Sequence, residues 1–134
     1  MKVTWAYDRG DHRDGHEVET TNPVTLESLL RRIHDAGEPV VVTIYHDLPD
    51  DDDELPGGLQ VGLGHSAHAF VVHIADEGGY LTDPSTAAPS HGIAFDLGGV
   101  STEYPTEHLR VPPGLALRTA VTFLRTGGEP PHLD

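Results

Sequence analysis

Between Val40 and Tyr104 the apolar residues arrive in short runs joined by glycine-rich turns, which favours neighbouring antiparallel strands over βαβ units. Val40, Val41, Val42, Ile44 and Tyr45 form a β-branched run suited to a central strand covered on both faces. Leu59, Val61 and Leu63 alternate with Gln60 and Gly62, and Ala69 to Ala75 is a further apolar strand that turns at Gly78-Gly79 into Tyr80-Leu81-Thr82. Asp83 to Ser90, rich in Pro, Ser and Ala, reads as a loop. Ile93, Phe95 and Leu97 make a late strand closed by Gly98-Gly99, and Ser101 to Tyr104 adds one more.

The flanks supply the other elements. Val3, Trp5 and Tyr7 alternate with Thr4 and Ala6, Asp8 to Gly15 is turn-like, and Glu17 to Thr21 returns as the second arm of a hairpin. Thr25 stands where a helix cap is needed, and Leu26, Leu29, Leu30 and Ile33 then give one apolar stripe, stopped by Gly37 and Pro39. Pro112 and Pro113 open a second helix, Leu117, Ala120, Val121 and Leu124 recur at helical spacing, and Gly127-Gly128 ends it. The expected class is α+β: a mostly antiparallel sheet of about six strands with two helices packed on it. At 134 residues the chain is expected to form one domain, residues 1–134, able to bury about two-thirds of its unfolded surface without disulfides.

Charge narrows the function. Ile33 to Leu109 holds fourteen acids and no Lys or Arg, while the remainder holds eight of each sign, so the formal −14 belongs to the central stretch. Five acids form one unbroken run, Asp50 to Glu54. Such a field attracts a cationic partner and repels phosphate, which argues against binding nucleic acid. There is no cysteine, which removes disulfide frameworks and thiolate chemistry. No basic region leads into an apolar run at the N-terminus, and Val40 to Tyr45 is far short of the roughly 20 residues a membrane helix needs. The expectation is a soluble, cytoplasmic protein that does not engage a membrane and is a monomer when free.

Catalytic and metal signals are thin. His65, His68 and His73 do not converge within one strand: His68 and His73 have opposite parity, and His65 and His73 would lie roughly 26 Å apart. The acidic run lacks a glycine at the sixth position of a calcium loop, where Leu55 or Asp52 falls instead. Ser66 lacks the second glycine of a nucleophile elbow, and Glu103, Asp96, His91 and His108 offer only the acid–base combinations any acidic chain contains. No cofactor, metal or catalytic set is expected. The alternative from another class is a small-molecule-binding or minor hydrolase domain using His and carboxylate side chains.

A recognisable signature occupies the C-terminal third: Gly98-Gly99-Val100-Ser101-Thr102-Glu103-Tyr104-Pro105, then Leu109-Arg110-Val111-Pro112, then a helix ending Phe123-Leu124-Arg125-Thr126-Gly127-Gly128-Glu129-Pro130-Pro131. It resembles the first family of polymorphic-toxin immunity proteins, the deaminase-toxin immunity group. That family often shows an aromatic-Thr-Glu-aromatic-Pro element, a Pro-opened helix and a Thr-Gly-x-x-Pro tail. The Val3-Thr4-Trp5 hairpin, the Leu26-to-Ile33 helix and Leu59-x-Val61-Gly62-Leu63-Gly64 are also similar, so the resemblance spans nearly the whole chain. Ser101 stands where an aromatic commonly precedes Thr102-Glu103, the acidic loop is long, and the chain stops at Leu133-Asp134, short of an aromatic that often follows.

The resemblance implies a non-catalytic inhibitor of a bacterial toxin, often a zinc-dependent nucleic-acid cytosine deaminase. A toxin that binds a polyanion presents a positive cleft, and a concentrated negative surface can occupy it. On this reading Asp50, Asp51, Asp52, Asp53 and Glu54 lie on the contact surface with Asp47 at its edge. Tyr45, Tyr80 and Tyr104 are the candidate aromatic anchors. Glu103 is the family-like acid, with toxin contact and support of the Gly98-Gly99 turn both open. Trp5 reads as core. A DNA-mimic inhibitor of some other cationic protein differs only in target. Seven histidines from His34 to His108 also predict slower association as they become protonated near pH 6.

Overall fold

The alternation of Val3, Trp5 and Tyr7 becomes the first strand of one eight-stranded sheet in a computed structural model that describes residues 1–45, 57–75 and 78–131. In chain order the elements are β1 (Lys2–Asp8), β2 (Arg13–Glu19), α1 (Pro23–Asp35), β3 (Val40–Tyr45), β4 (Gly58–Leu63), β5 (Phe70–Ile74), β6 (Gly79–Leu81), β7 (Ile93–Leu97), β8 (Val100–Tyr104), a 3-10 turn (Thr106–His108) and α2 (Pro113–Arg125). The class is α+β. The main sheet runs β2-β1-β3-β4-β5-β6 with every neighbouring pair antiparallel. β7 and β8 form a hairpin that joins β3 through one parallel bridge, Val40 to Asp96. The sheet holds eight strands against the about six expected, with three-residue β6 and the β7–β8 hairpin both joined to it.

Local chemistry moves two boundaries. Asn22, not Thr25, caps α1: its Oδ1 accepts from the Val24 amide at 2.9 Å and the Thr25 amide at 3.4 Å. Pro23 then sits at the first helical position, where its missing N–H costs nothing. Strand β2 begins at Arg13, earlier than its polar sequence indicated, because it pairs along the whole of β1. A charged edge strand of this kind resists pairing with other chains.

Parity assigns the two faces. Val3, Val40, Val42, Ile44, Leu59, Val61, Leu63 and Val71 point to one side and pack against Leu26, Leu29, Leu30 and Ile33 of α1 and Ala116, Leu117, Ala120, Val121, Phe123 and Leu124 of α2. Each fully buried Leu, Ile, Val or Phe contributes about 1.5–3 kcal/mol. At the end of α2 the Gly128 amide bonds the Phe123 carbonyl at 2.9 Å and the Gly127 amide bonds Leu124 at 3.1 Å. Gly127 has φ of +74°, which a side chain would resist.

The opposite face carries a smaller core of Val41, Phe70, Phe95, Tyr104 and Leu109, with Val72, Ile93 and Leu97 at its margin. Phe70 stacks on Tyr104 at 4.2 Å and meets Phe95 edge-on at 5.2 Å. Gly62 makes this possible, since a Cβ there would lie 2.3 Å from Phe70 Cε1. The β7–β8 turn is held by Arg13, whose Nε donates to the Gly98 carbonyl at 3.0 Å. The hairpin therefore seals only one part of the second face.

Candidate partner-binding face

Cross-strand partners share a face, so the register defines rows of side chains running across the sheet. One row on the second face reads Glu17, Thr4, Thr43, Gln60, Val72, Tyr80, passing through β2, β1, β3, β4, β5 and β6. None of its six residues is buried, and Gln60 Nε2 donates to Thr43 Oγ1 at 3.3 Å. Beside it runs a second row, Glu19, Lys2, Tyr45, Gly58, Ile74. Two residues further along the strands in the other direction lie Ala6, Val41, Gly62 and Phe70, all buried by the hairpin side. The second face thus divides into a sealed apolar half and an accessible, mixed polar half.

Two of the expected anchors reach that accessible half. Tyr45 ends β3, half-buried, opposite Lys2 on one side and Gly58 on the other. Tyr80 is 39% exposed and lies flat on His108, ring centroids 3.5 Å apart. Partial burial pushes its hydroxyl above the usual tyrosine value. Tyr104 is placed differently: at 6% exposure it packs beneath, on Phe70 and Phe95, and burial followed by the proximity of Tyr80 pushes its hydroxyl up to about 12. Glu103 is exposed on β8 opposite Ala94, beside Gly92, and the Gly98-Gly99 turn takes its support from Arg13 instead. Asp47, Asp50, Asp51, Asp52, Asp53 and Glu54 lie outside the described residues, in the segment between Tyr45 and Gly57.

Sequence reading missed Thr43, Gln60 and Val72 as members of one surface. Their only signal was period-two alternation within each strand; which residues stand side by side depends on register.

Three of the described histidines make structural contacts. His65 Nδ1 accepts from the Ala67 and His68 amides, both at 3.1 Å, and His34 Nδ1 accepts from the Gly64 amide at 3.0 Å. Burial, then the neighbouring His68, lowers the His65 pKa, and both amide bonds require its neutral form. His73 faces the helices, edge-on to Phe123 at 6.4 Å. Among the described residues no three His, Asp or Glu side chains converge to hold a metal ion.

Other polar clusters tie loops down. Asp83 accepts from the Ser85 hydroxyl and amide and from the Thr86 hydroxyl, which holds its carboxyl below the usual range, and Arg110 bonds the Thr86 and Pro84 carbonyls. Arg9 bridges Asp14 and Glu38 near the β1–β2 turn.

Charge is unevenly divided between the helices and the rest of the chain. The helices carry exposed Arg31, Arg32, Arg118 and Arg125 against Glu27 and Asp35, a net of +2. The chain's −14 therefore leaves −16 on the rest of the sequence: −7 on the other described residues and −9 on acids outside the described residues.

Fold and face define an α+β protein with one side of its sheet sealed by basic helices and the other partly open, polar and acid-flanked. The family model described as Immunity protein Imm1 matches residues 14–134, and the chain belongs to that family. It is an immunity protein, whose partner is a toxin, and the membership points to a non-enzymatic role. No curated protein and no solved structure matches the chain. Among the described residues no helix is long and apolar enough to cross a membrane.

Proposed function

We propose that this immunity protein neutralises its cognate toxin by binding it directly, that the toxin is a nucleic-acid cytosine deaminase, and that the acidic surface occupies the toxin's cationic cleft. The supporting observation is the separation of charge: net +2 on the helices and −7 on the other described residues, with nine further acids in the sequence outside them. A deaminase must draw in a polyanion, so its cleft carries the opposite field. Asp47 and the run Asp50 to Glu54 steer the encounter and confer salt dependence, while Tyr45 and Tyr80 supply packed contact and Glu103 an acid at the periphery. Tyr104 acts from below, as part of the packing on which Phe70 and Tyr80 rest. The protein works in the cytoplasm as one domain, and self-repulsion keeps it monomeric until the toxin arrives.

The test is co-purification with the product of the gene immediately upstream, together with an assay of cytosine deamination. A stoichiometric complex at low salt that abolishes deamination is expected. Absence of a complex, or a toxin with no deaminase activity, overturns the corresponding part of the reading.

A further inference from the structure

We infer that the centre of the toxin contact is the open half of the second sheet face, the strip of Thr43, Gln60 and Val72 between Tyr45 and Tyr80, and not the helix layer. This rests on the proposal that the partner is a cationic toxin surface.

Three observations converge on that strip. The first is access: the row through Thr43, Gln60 and Val72 is unburied across six strands, whereas the Ala6, Val41, Gly62 and Phe70 positions of the same face are closed off. The second is chemistry. Thr43, Gln60 and Tyr80 bring hydroxyl and amide groups, with Val72 and Ile74 as the apolar part, the mixed composition of a non-obligate interface. The third is charge complementarity. Exposed Glu17 and Glu19 border the strip on β2 against Lys2, which pairs with Glu17 at 3.6 Å, leaving this edge net negative, while Arg31, Arg32, Arg118 and Arg125 leave the helix layer net positive and would repel a cationic cleft.

Five gaps between strands make the row about 24 Å long, and the two rows lie about 7 Å apart. That is a few hundred Å² against about 800 Å² per partner in a standard interface, so the strip forms the middle of the contact rather than its whole extent.

The experiment compares matched additions of one positive charge. Gln60→Arg and Val72→Arg place it on the strip; Ser28→Arg and Thr122→Arg place it on exposed helix positions. Binding of the purified toxin domain that co-purifies with the chain is measured by titration calorimetry, with circular dichroism verifying each fold. Glu17→Lys at the exposed strip edge stands in should an interior variant fail to fold.

The strip variants are expected to weaken binding by at least about tenfold and the helix variants by less than about twofold. Strip variants that bind like wild type overturn the inference, as does a loss confined to the helix variants. A wild-type chain that fails to bind the toxin removes the proposed function itself, a separate outcome. Strip variants that dissociate a dimer of the free chain while leaving toxin affinity intact make the face a self-association surface and also overturn it.

Discussion

The Tyr80 ring lies parallel to the His108 imidazole, centroids 3.5 Å and planes 9° apart, so an edge strand of three residues is pinned by the 3-10 turn that follows β8. Residues 28 positions apart in sequence thereby fix one half-exposed aromatic at the end of the accessible row. An anchor held in place before contact loses less freedom on binding.

Tyr80→Ala is expected to weaken toxin binding by about 30-fold, the scale of a central aromatic contact. Tyr80→Phe keeps the stack and stays near wild type. His108→Ala acts through Tyr80 and gives an intermediate loss of about fivefold, mainly in dissociation rate. Surface-captured toxin with each variant injected resolves the two rates. Equal affinity for Tyr80→Ala and wild type would remove Tyr80 from the interface.

Replacing Asp50, Asp51, Asp52 and Asp53 with Asn and Glu54 with Gln tests steering separately from packing. Association should slow by about tenfold or more at low salt and lose most of its ionic-strength dependence, while dissociation changes little. Stopped-flow mixing across a salt series reads this out. Unchanged kinetics at every salt concentration would reduce the acidic run to a solvated segment.

Gly62→Ala should destabilise the fold without touching the helices. Its Cβ would come within 2.3 Å of Phe70 Cε1 and 3.0 Å of Phe95 Cε1, both buried rings. Overpacking of this sort costs about 1–3 kcal/mol. Urea unfolding monitored by circular dichroism gives the value, and a loss below about 0.5 kcal/mol would mean the aromatic cluster repacks freely.

His65 makes stability depend on pH in one direction. Its folded-state pKa is lowered from 6.5 by burial and then by His68, so the unfolded chain binds the proton more tightly. The contribution is complete above the unfolded value and is lost as pH falls through the window between that value and the lower folded one. His65→Asn keeps an acceptor for the Ala67 and His68 amides but cannot titrate. The melting temperature of wild type should therefore decline more steeply than that of His65→Asn between about pH 7.5 and 5.5. Parallel profiles would show that the turn tolerates a charged imidazole.

Much of the fold was legible because its signals are local. The stripe of Leu26, Leu29, Leu30 and Ile33 and the β-branched run of β3 each declare their element from spacing alone. The start of β2 was not legible, since Arg13 to Glu17 has no apolar alternation and becomes strand only by pairing with β1. The α1 cap was misplaced by three residues because Asn22 and Thr25 are both capable caps, and the preference falls to the one preceding Pro23. Of the tyrosines named from sequence as candidate anchors, Tyr80 stays partly exposed, while Tyr104 went to the aromatic core because the hairpin folds back over Phe70.

What the sequence determined alone was the class of secondary elements, the family signature and the excess of acid, since side-chain type and short-range spacing are properties of the chain itself. Tertiary structure decided which face stays open. Gln60 meets Thr43 and Val72 only through strand register, and the sealing of Gly62 and Phe70 depends on where the β7–β8 hairpin docks. Those are contacts between residues far apart in sequence, set by how the whole sheet buries its apolar area.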